Sequence, residues 1–437
     1  MAVAHGGFRA FLIIWLGELV SVLGSGLTGF GMGIWVYEQT REVEKFAYIA
    51  LVTTVPGIVL SPFLGAVTDR FDRRKLLIVA NCGAGLAILA LYLFQRSGAL
   101  QLWHIYLFSG ISSAFGSLLW PAMTALVSQL VEKDQLGRAS GLISTAEAFS
   151  MILAPVLGAV MLASLGLSGI FLFDAVSFGA AIFSCLLVRT EKPKESAEGR
   201  EAKGSFFREV FYGFPYVFAR PGLLGLMGFF MMVNFAGGYV NTLFAPLILQ
   251  HYSKQALGAI LGIGGIAMLA GGVLMGIWGG PKKKVNGILA VGLMISVTTI
   301  IFALPPNAVV YSVALAIGML GIPIVNGCSQ AIWQRKIPHD VQGRVFAVRR
   351  VFAFSMSPIA FLSVGPLADR VFEPGMKGTG WLSERFGSWF GHADGSGMRV
   401  MMFLFGILML VLTVLILEHP RVQNIEVELP DAVPDES

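Results

Sequence analysis

Twelve apolar segments, each close to the length needed to cross a lipid bilayer, recur along the chain; they begin near Phe8, Lys45, Lys75, Gln101, Leu136, Ser168, Pro221, Lys254, Lys284, Ala308, Gln342 and Met398. A spanning helix takes roughly 20 apolar residues. In hydrocarbon every backbone N–H and C=O must be satisfied inside the segment, which a helix achieves. No strand-like alternation competes, so the expected fold is an all-α membrane protein with 12 transmembrane helices. Composition agrees: 55% of residues are hydrophobic and 13% charged, whereas soluble domains carry about 25% charged residues.

The net charge is +5. A basic balance can mark a nucleic-acid partner, but here the cations gather in short turns between apolar runs, at 69–75, 132–138, 189–220, 282–284 and 335–344. The turns between them, near 164–169, 253–255 and 305–307, carry little charge. That alternation is the positive-inside pattern, so the expectation is a plasma-membrane protein with both termini cytoplasmic and no nucleic acid. Cys82, Cys185 and Cys328 have neither disulfide nor metal spacing and read as small core residues. No phosphate loop, nucleophile elbow or Cys/His cluster appears, so no ATP motor, enzyme chemistry, metal or cofactor is expected. The glycines 262 and 264 with Ala267 lie inside a span and read as a close-packed helix face.

The chain reads as two halves. Gly137-Arg138 recurs as Gly343-Arg344, Ser150-Met151 as Ser355-Met356, and Gly65 with its basic run as Gly276 with Lys282–Lys284. The offsets are on the order of 205–211 residues, half the chain, as a duplicated six-helix unit requires. The expected organisation is an N-terminal bundle at 1–190, a cytoplasmic linker at 191–220, a C-terminal bundle at 221–418 and a disordered tail at 419–437. The linker should carry an amphipathic surface helix at 206–211.

Between the second and third segments runs Gly65-Ala-Val-Thr-Asp69-Arg70-Phe-Asp72-Arg73-Arg74-Lys75. A turn this charged has to lie at a membrane face. The plain reading is a topogenic basic loop; the sharper one is a latch in which Asp69 and the arginines tie helix ends together. This stretch resembles the loop between the second and third helices of the major facilitator superfamily, with Asp72 where that family usually has Gly. Two further stretches, Gln342-Gly343-Arg344 through Arg349-Arg350 and Gly365-Pro366-Leu367-Ala368-Asp369-Arg370, resemble its drug:proton antiporter-3 branch, which includes macrolide and siderophore exporters. Ala154-Pro155-Val156-Leu157-Gly158-Ala159 is similar to the antiporter signature of that superfamily, with Pro155 permitting a bend and Gly158 close packing.

The resemblance implies two pseudosymmetric six-helix bundles. It also implies a cytoplasmic gate of Gly65, Asp69, Arg70, Arg73 and Arg74 packing against the eleventh helix, with Asp69 paired to an arginine such as Arg344 or Arg349. Helices one, four, seven and ten would line a central cavity. Its wall candidates are Ser21, Ser25, Ser113, Trp120, Asn234, Tyr239, Asn241, Asn326, Gln330 and Trp333, although any one of them could equally serve an interhelical hydrogen bond. A carboxylate inside a span marks a functional site by default, which singles out Glu18, Glu147 and Asp174 for proton coupling. Glu18 could also be a structural hydrogen bond, and Asp174 could fix a helix contact. The expected function is export of an amphipathic compound by alternating access, coupled to protons, by a monomer in the bilayer. A lysophospholipid flippase, an uncoupled facilitator and a non-transporting scaffold are the alternatives.

Overall fold

A computed structural model of the chain describes residues 4–5, 7–132, 135–189, 215, 217–337, 342–377, 380–417 and 419–428. The expected linker and its surface helix lie outside the described residues, as do the side chains of the helical residues Gly65, Asp69, Arg70, Gly137 and Arg344. The helices of the first half are α1 (Gly7–Thr40), α2 (Val43–Arg70), α3 (Arg73–Arg96), α4 (Leu102–Gly116), α5 (Leu119–Leu130), α6 (Leu136–Ser164) and α7 (Gly166–Leu187). A two-residue parallel pairing of β1 (Ala4–His5) with β2 (Val188–Arg189) joins the entry to α1 with the exit from α7. The second half holds α8 (Pro221–His251), α9 (Lys254–Trp278), α10 (Lys284–Ile301), α11 (Ala308–Lys336), α12 (Gln342–Phe354) and α13 (Ser357–Pro366). A π-helical turn (Leu367–Phe372) then leads to α14 (Glu373–Met376), α15 (Trp381–Phe390), α16 (Ser396–Leu417), α17 (Pro420–Gln423) and α18 (Ile425–Glu428).

Twelve stretches are long and apolar enough to cross a membrane. The fourth is broken between α4 and α5, and the eleventh runs in pieces from α12 to α14. Proline chemistry accounts for both breaks. Pro121 has no N–H for the Ser117 carbonyl and its ring crowds that oxygen, so α4 ends at Gly116 and restarts at Leu119. Pro358 stands in the same relation to Phe354, the last residue of α12. Helix starts are capped where the sequence offers short polar side chains. Asp72 accepts from Lys75 N at 3.2 Å, and Asn307 from Val309 N and Val310 N at 3.0 and 3.1 Å.

The chain divides into two compact units, residues 1–41 with 48–200 and residues 42–47 with 201–437. The first turn of α2 therefore groups with the second unit. The packing pattern is the same in both. In the first unit α1 packs on α6 and α7, and α3 on α4 and α7. In the second, α8 packs on α12, α13 and α16, and α10 on α11 and α16. The duplication read from short motifs is thus present in the packing. Each unit has an apolar core, around Phe11, Ile14, Leu77, Cys185 and Val188 in one and around Phe229, Ile288, Ile332, Trp333 and Val345 in the other.

The chain after 419 differs from the expected disordered tail, at least to Glu428. α17 and α18 bury Val422 and Ile425 against the second unit. Glu426 accepts from Val285 N at 3.2 Å, and its carbonyl accepts from Lys336 Nζ at 2.5 Å. Two apolar residues one turn apart, with hydrogen bonds on either side, are enough to dock so short a segment. α15 was not anticipated either. It buries Leu382 and Phe390 and leaves Trp381 and Trp389 exposed, as an interfacial anchor does.

Candidate coupling and substrate site

The glycines of α1 set the site. A Cβ on Gly24 would stand 2.4 Å from Ser177 Oγ and 2.7 Å from Asp174 Oδ1, and one on Gly17 would stand 2.3 Å from Ser184 Oγ. α7 can therefore close on α1, and the polar residues of α1 are drawn into the seam between α1, α3 and α7. Glu18 is 7% exposed and Asp174 0%. Asn81 on α3 donates Nδ2 to Glu18 Oε1 at 2.8 Å and to the Leu77 carbonyl at 3.0 Å. Ser21 Oγ donates to Asn81 Oδ1 at 3.4 Å. Further along, Ser25 and Ser177 hydroxyls lie 3.4 and 3.3 Å from Asp174 Oδ1. Thr28 is buried beside Asp174. Among the described residues no cation pairs with either carboxylate.

Asn81 is the member of this seam that sequence reasoning missed. Its signal was available, as an isolated amide in the apolar run Ile78-Val79-Ala80-Asn81-Cys82. Glu147 sits differently from the other two acids. It is exposed on α6, whose Ser150 donates to the Val22 carbonyl of α1 at 2.9 Å.

The expected wall residues differ in exposure, with Ser113, Asn234 and Gln330 half-buried. Ser25, Trp120, Asn241 and Asn326 are exposed. Ser21, Tyr239 and Trp333 are buried in helix packing and form no wall. Tyr239 stacks on Phe405 with ring centroids 3.8 Å apart and hydrogen-bonds Ser363. Asn234 donates to the Phe230 carbonyl of its own helix at 2.8 Å, and Ser113 donates to the Thr53 carbonyl. Asn234 takes an acceptor on its own helix and Ser113 one on α2, because a donor in a span has few alternatives.

Of the expected gate, Arg73 and Arg74 bind backbone carbonyls inside their own unit, and Arg349 binds side chains. Arg73 donates to Ala125 O at 2.8 Å, and Arg74 to Cys185 O and Leu186 O at 2.7 and 3.2 Å. Arg74 thereby serves carbonyls that the end of α7 leaves open. Arg349 forks onto Gln330 Oε1 and Ser329 Oγ, both at 2.9 Å, and lies 5.2 Å from the Trp333 ring. Gln330 and Trp333 thus hold an arginine. The proposed bend residues lie in a continuous α6, where a Cβ on Gly158 would come 2.7 Å from the Phe30 ring. Among the described residues no group of three acidic, His or Cys side chains could hold a metal.

Twelve spanning helices in two repeated six-helix units, with a polar seam inside one of them, define a polytopic membrane protein. The Major Facilitator Superfamily model matches residues 14–361, and the chain belongs to that family. It is 26% identical over 370 residues to macrolide efflux protein A of Streptococcus pyogenes, covering 83% of this chain and 90% of that one. It is 24% identical over 380 residues to the multidrug efflux pump Tap of Mycobacterium bovis, covering 82% and 87%. Among solved structures, an inward-facing bacterial homologue of the human lysosomal transporter Spinster superposes with a TM-score of 0.69. It has 14% identity and covers 96% of this chain and 97% of that one. That likeness is one of fold.

Proposed function

We propose that this protein exports an amphipathic organic compound, of the macrolide or a related drug class, by alternating access in exchange for protons. It works as a monomer in the plasma membrane with both termini in the cytoplasm. The observation that carries the coupling is the buried seam of Glu18, Asn81 and Asp174. A charge in such a place, with no cation beside it, costs several kcal/mol. Adding or removing a proton there changes how firmly α1, α3 and α7 hold together, which gives a proton gradient leverage on conformation. Ser25 is exposed and also touches Asp174, so it offers a route between the seam and water. Glu147, an exposed acid within a span, is tolerable only on a wetted face, which suits a cavity for a cationic or amphipathic molecule. The relatives named for macrolide and multidrug efflux support the substrate class.

Purified protein in proteoliposomes tests the reading. Erythromycin, ethidium and a lysophospholipid are each offered under an imposed pH gradient, with wild type beside Glu18→Gln and Asp174→Asn. Gradient-driven erythromycin or ethidium movement is expected, falling at least about tenfold in one of the variants as a lost coupling step would require. Drug movement that ignores both substitutions removes the seam from coupling. Movement of lysophospholipid alone, indifferent to pH, overturns the drug-export reading.

A further inference from the structure

The start of α2 is held by a residue more than three hundred positions later. Asp369 Oδ1 accepts from Val43 N at 3.1 Å and Oδ2 from Glu44 N at 2.8 Å. These are donors that a helix start leaves open, at the end where the helix dipole favours negative charge. Arg370 completes the grip with a 2.6 Å ion pair to Glu44 Oε2. One turn earlier, Gly365 makes the approach possible: a Cβ there would lie 2.2 Å from Glu44 Cα and 2.8 Å from Glu44 N. Gly, three residues, Asp, Arg is therefore a unit with three separate jobs, namely close approach, capping and ion pairing.

The same string occurs at the other end of the same helix. Gly65-Ala-Val-Thr-Asp69-Arg70 closes α2, and Gly365-Pro-Leu-Ala-Asp369-Arg370 grips its beginning. At a rise of 1.5 Å per residue the 28 residues of α2 extend about 42 Å, so its two ends lie at opposite membrane faces. Residues 42–47 group with the second unit while the remainder of α2 groups with the first. The grip therefore falls at the point where the chain passes from one unit to the other.

We infer that Gly365, Asp369 and Arg370 form a second gate latch, which secures the first turn of α2 at the membrane face opposite the 69–75 turn and releases it when that face opens. The inference rests on the alternating-access reading, and its test is built so that the two can fail separately. The reporter is Val43→Cys, a near-isosteric change that keeps the capped N–H, in a chain whose three native cysteines are alanine. Val43 is 2% exposed, so a membrane-impermeant maleimide should label it slowly. Adding Asp369→Ala should raise the labelling rate at least about fivefold, the value of a lost helix cap, and adding Arg370→Gln should raise it less. An unchanged rate with Asp369→Ala overturns the latch. A second arm needs no capping variant. Glu44→Cys with Arg370→Cys, bridged by a short bis-methanethiosulfonate, should stop erythromycin export until reductant is added, and full export by the bridged protein also overturns the latch. If erythromycin is not moved at all, the export reading fails while the labelling result still decides the latch.

Discussion

The two units share a packing plan and differ in what they put into its seams. In the first, the contacts of α1 and α3 with α7 enclose Glu18, Asn81 and Asp174. In the second, the corresponding contacts of α8 and α10 with α16 hold Tyr239 against Phe405, and Gly292 against Thr413 and Phe229. No carboxylate enters that second seam among the described residues. Packing geometry has survived duplication, whereas chemistry has diverged. A seam that binds through rings and bare backbone can only be tight or loose. A seam with acids also responds to a proton. On the coupling proposed above, the element that answers to a proton would lie in one unit, with no acid counterpart in the matching seam of the other among the described residues.

The sharpest way to break this comparison is at the glycines. In the second unit α9 meets α11 through backbone: a Cβ on Gly271 would lie 2.1 Å from the Leu320 carbonyl oxygen. In the acid seam Gly24 faces mainly the side-chain ends of Ser177 and Asp174, with Asp174 Cα 3.1 Å away. Side chains can turn aside and a helix backbone cannot. Gly271→Ala should therefore cost about 3 kcal/mol and Gly24→Ala about 1 kcal/mol. Gly29→Ala, where nothing lies within 4 Å of the added carbon, serves as the blank. Thermal unfolding of the three variants in one detergent gives the ranking. If Gly24→Ala is as damaging as Gly271→Ala, the acid seam is no more yielding than the backbone contact of α9 with α11.

Asn81 sharpens the comparison from the other side. Among the described residues it is the one hydrogen-bond donor to Glu18. Asn81→Leu removes it and leaves a buried acid without a partner, which costs about 1–3 kcal/mol. Glu18→Gln combined with Asn81→Leu should recover part of that loss, because a neutral amide is cheaper to bury than a charge. The readout is a double-mutant cycle of unfolding midpoints. Strict additivity would mean that the pair does not act as a unit, and the seam would then be a set of separate contacts.

Much of this was legible from the residues. The spans were readable because hydrocarbon leaves a chain so few options, and their starts shift by no more than about two residues in the structure, the usual uncertainty of helix ends. The breaks at Pro121 and Pro358 were equally readable from proline chemistry, yet span length alone masks them. Glu18 and Asp174 stood out as acids in apolar runs. Their surroundings did not, since Asn81 is 63 positions from Glu18 and Ser25 is 149 from Asp174. Helical spacing put Glu18, Ser21, Ser25 and Thr28 on one face without saying which neighbour that face meets. Tyr239 and Trp333 show the same limit: polar-tipped aromatics suit a cavity wall or a seam, and only the packing decides.

The smallest effect comes from an acid outside the membrane. Asp394 pairs with Lys377 at 2.7 Å in the loop between the last two spans. The hydrogen bond and charge of Lys377 hold its carboxyl below the ordinary range, and Asp394 raises the Lys377 ammonium above its own. The signs follow directly. The Asp394 contribution is present above the unfolded carboxylate pKa and fades as pH falls through the folded one. The Lys377 contribution is present below the unfolded lysine pKa and fades as pH rises through the folded value. Between those limits both persist, but both side chains are largely exposed and water and salt screen the pair. Lys377→Ala should change stability by no more than about 0.5 kcal/mol at neutral pH, and by less at high salt. Unfolding midpoints at two salt concentrations check it. An effect as large as that of Asn81→Leu would mean that the loop is far more sheltered than its exposure allows, and that burial is not what sets the acid seam apart.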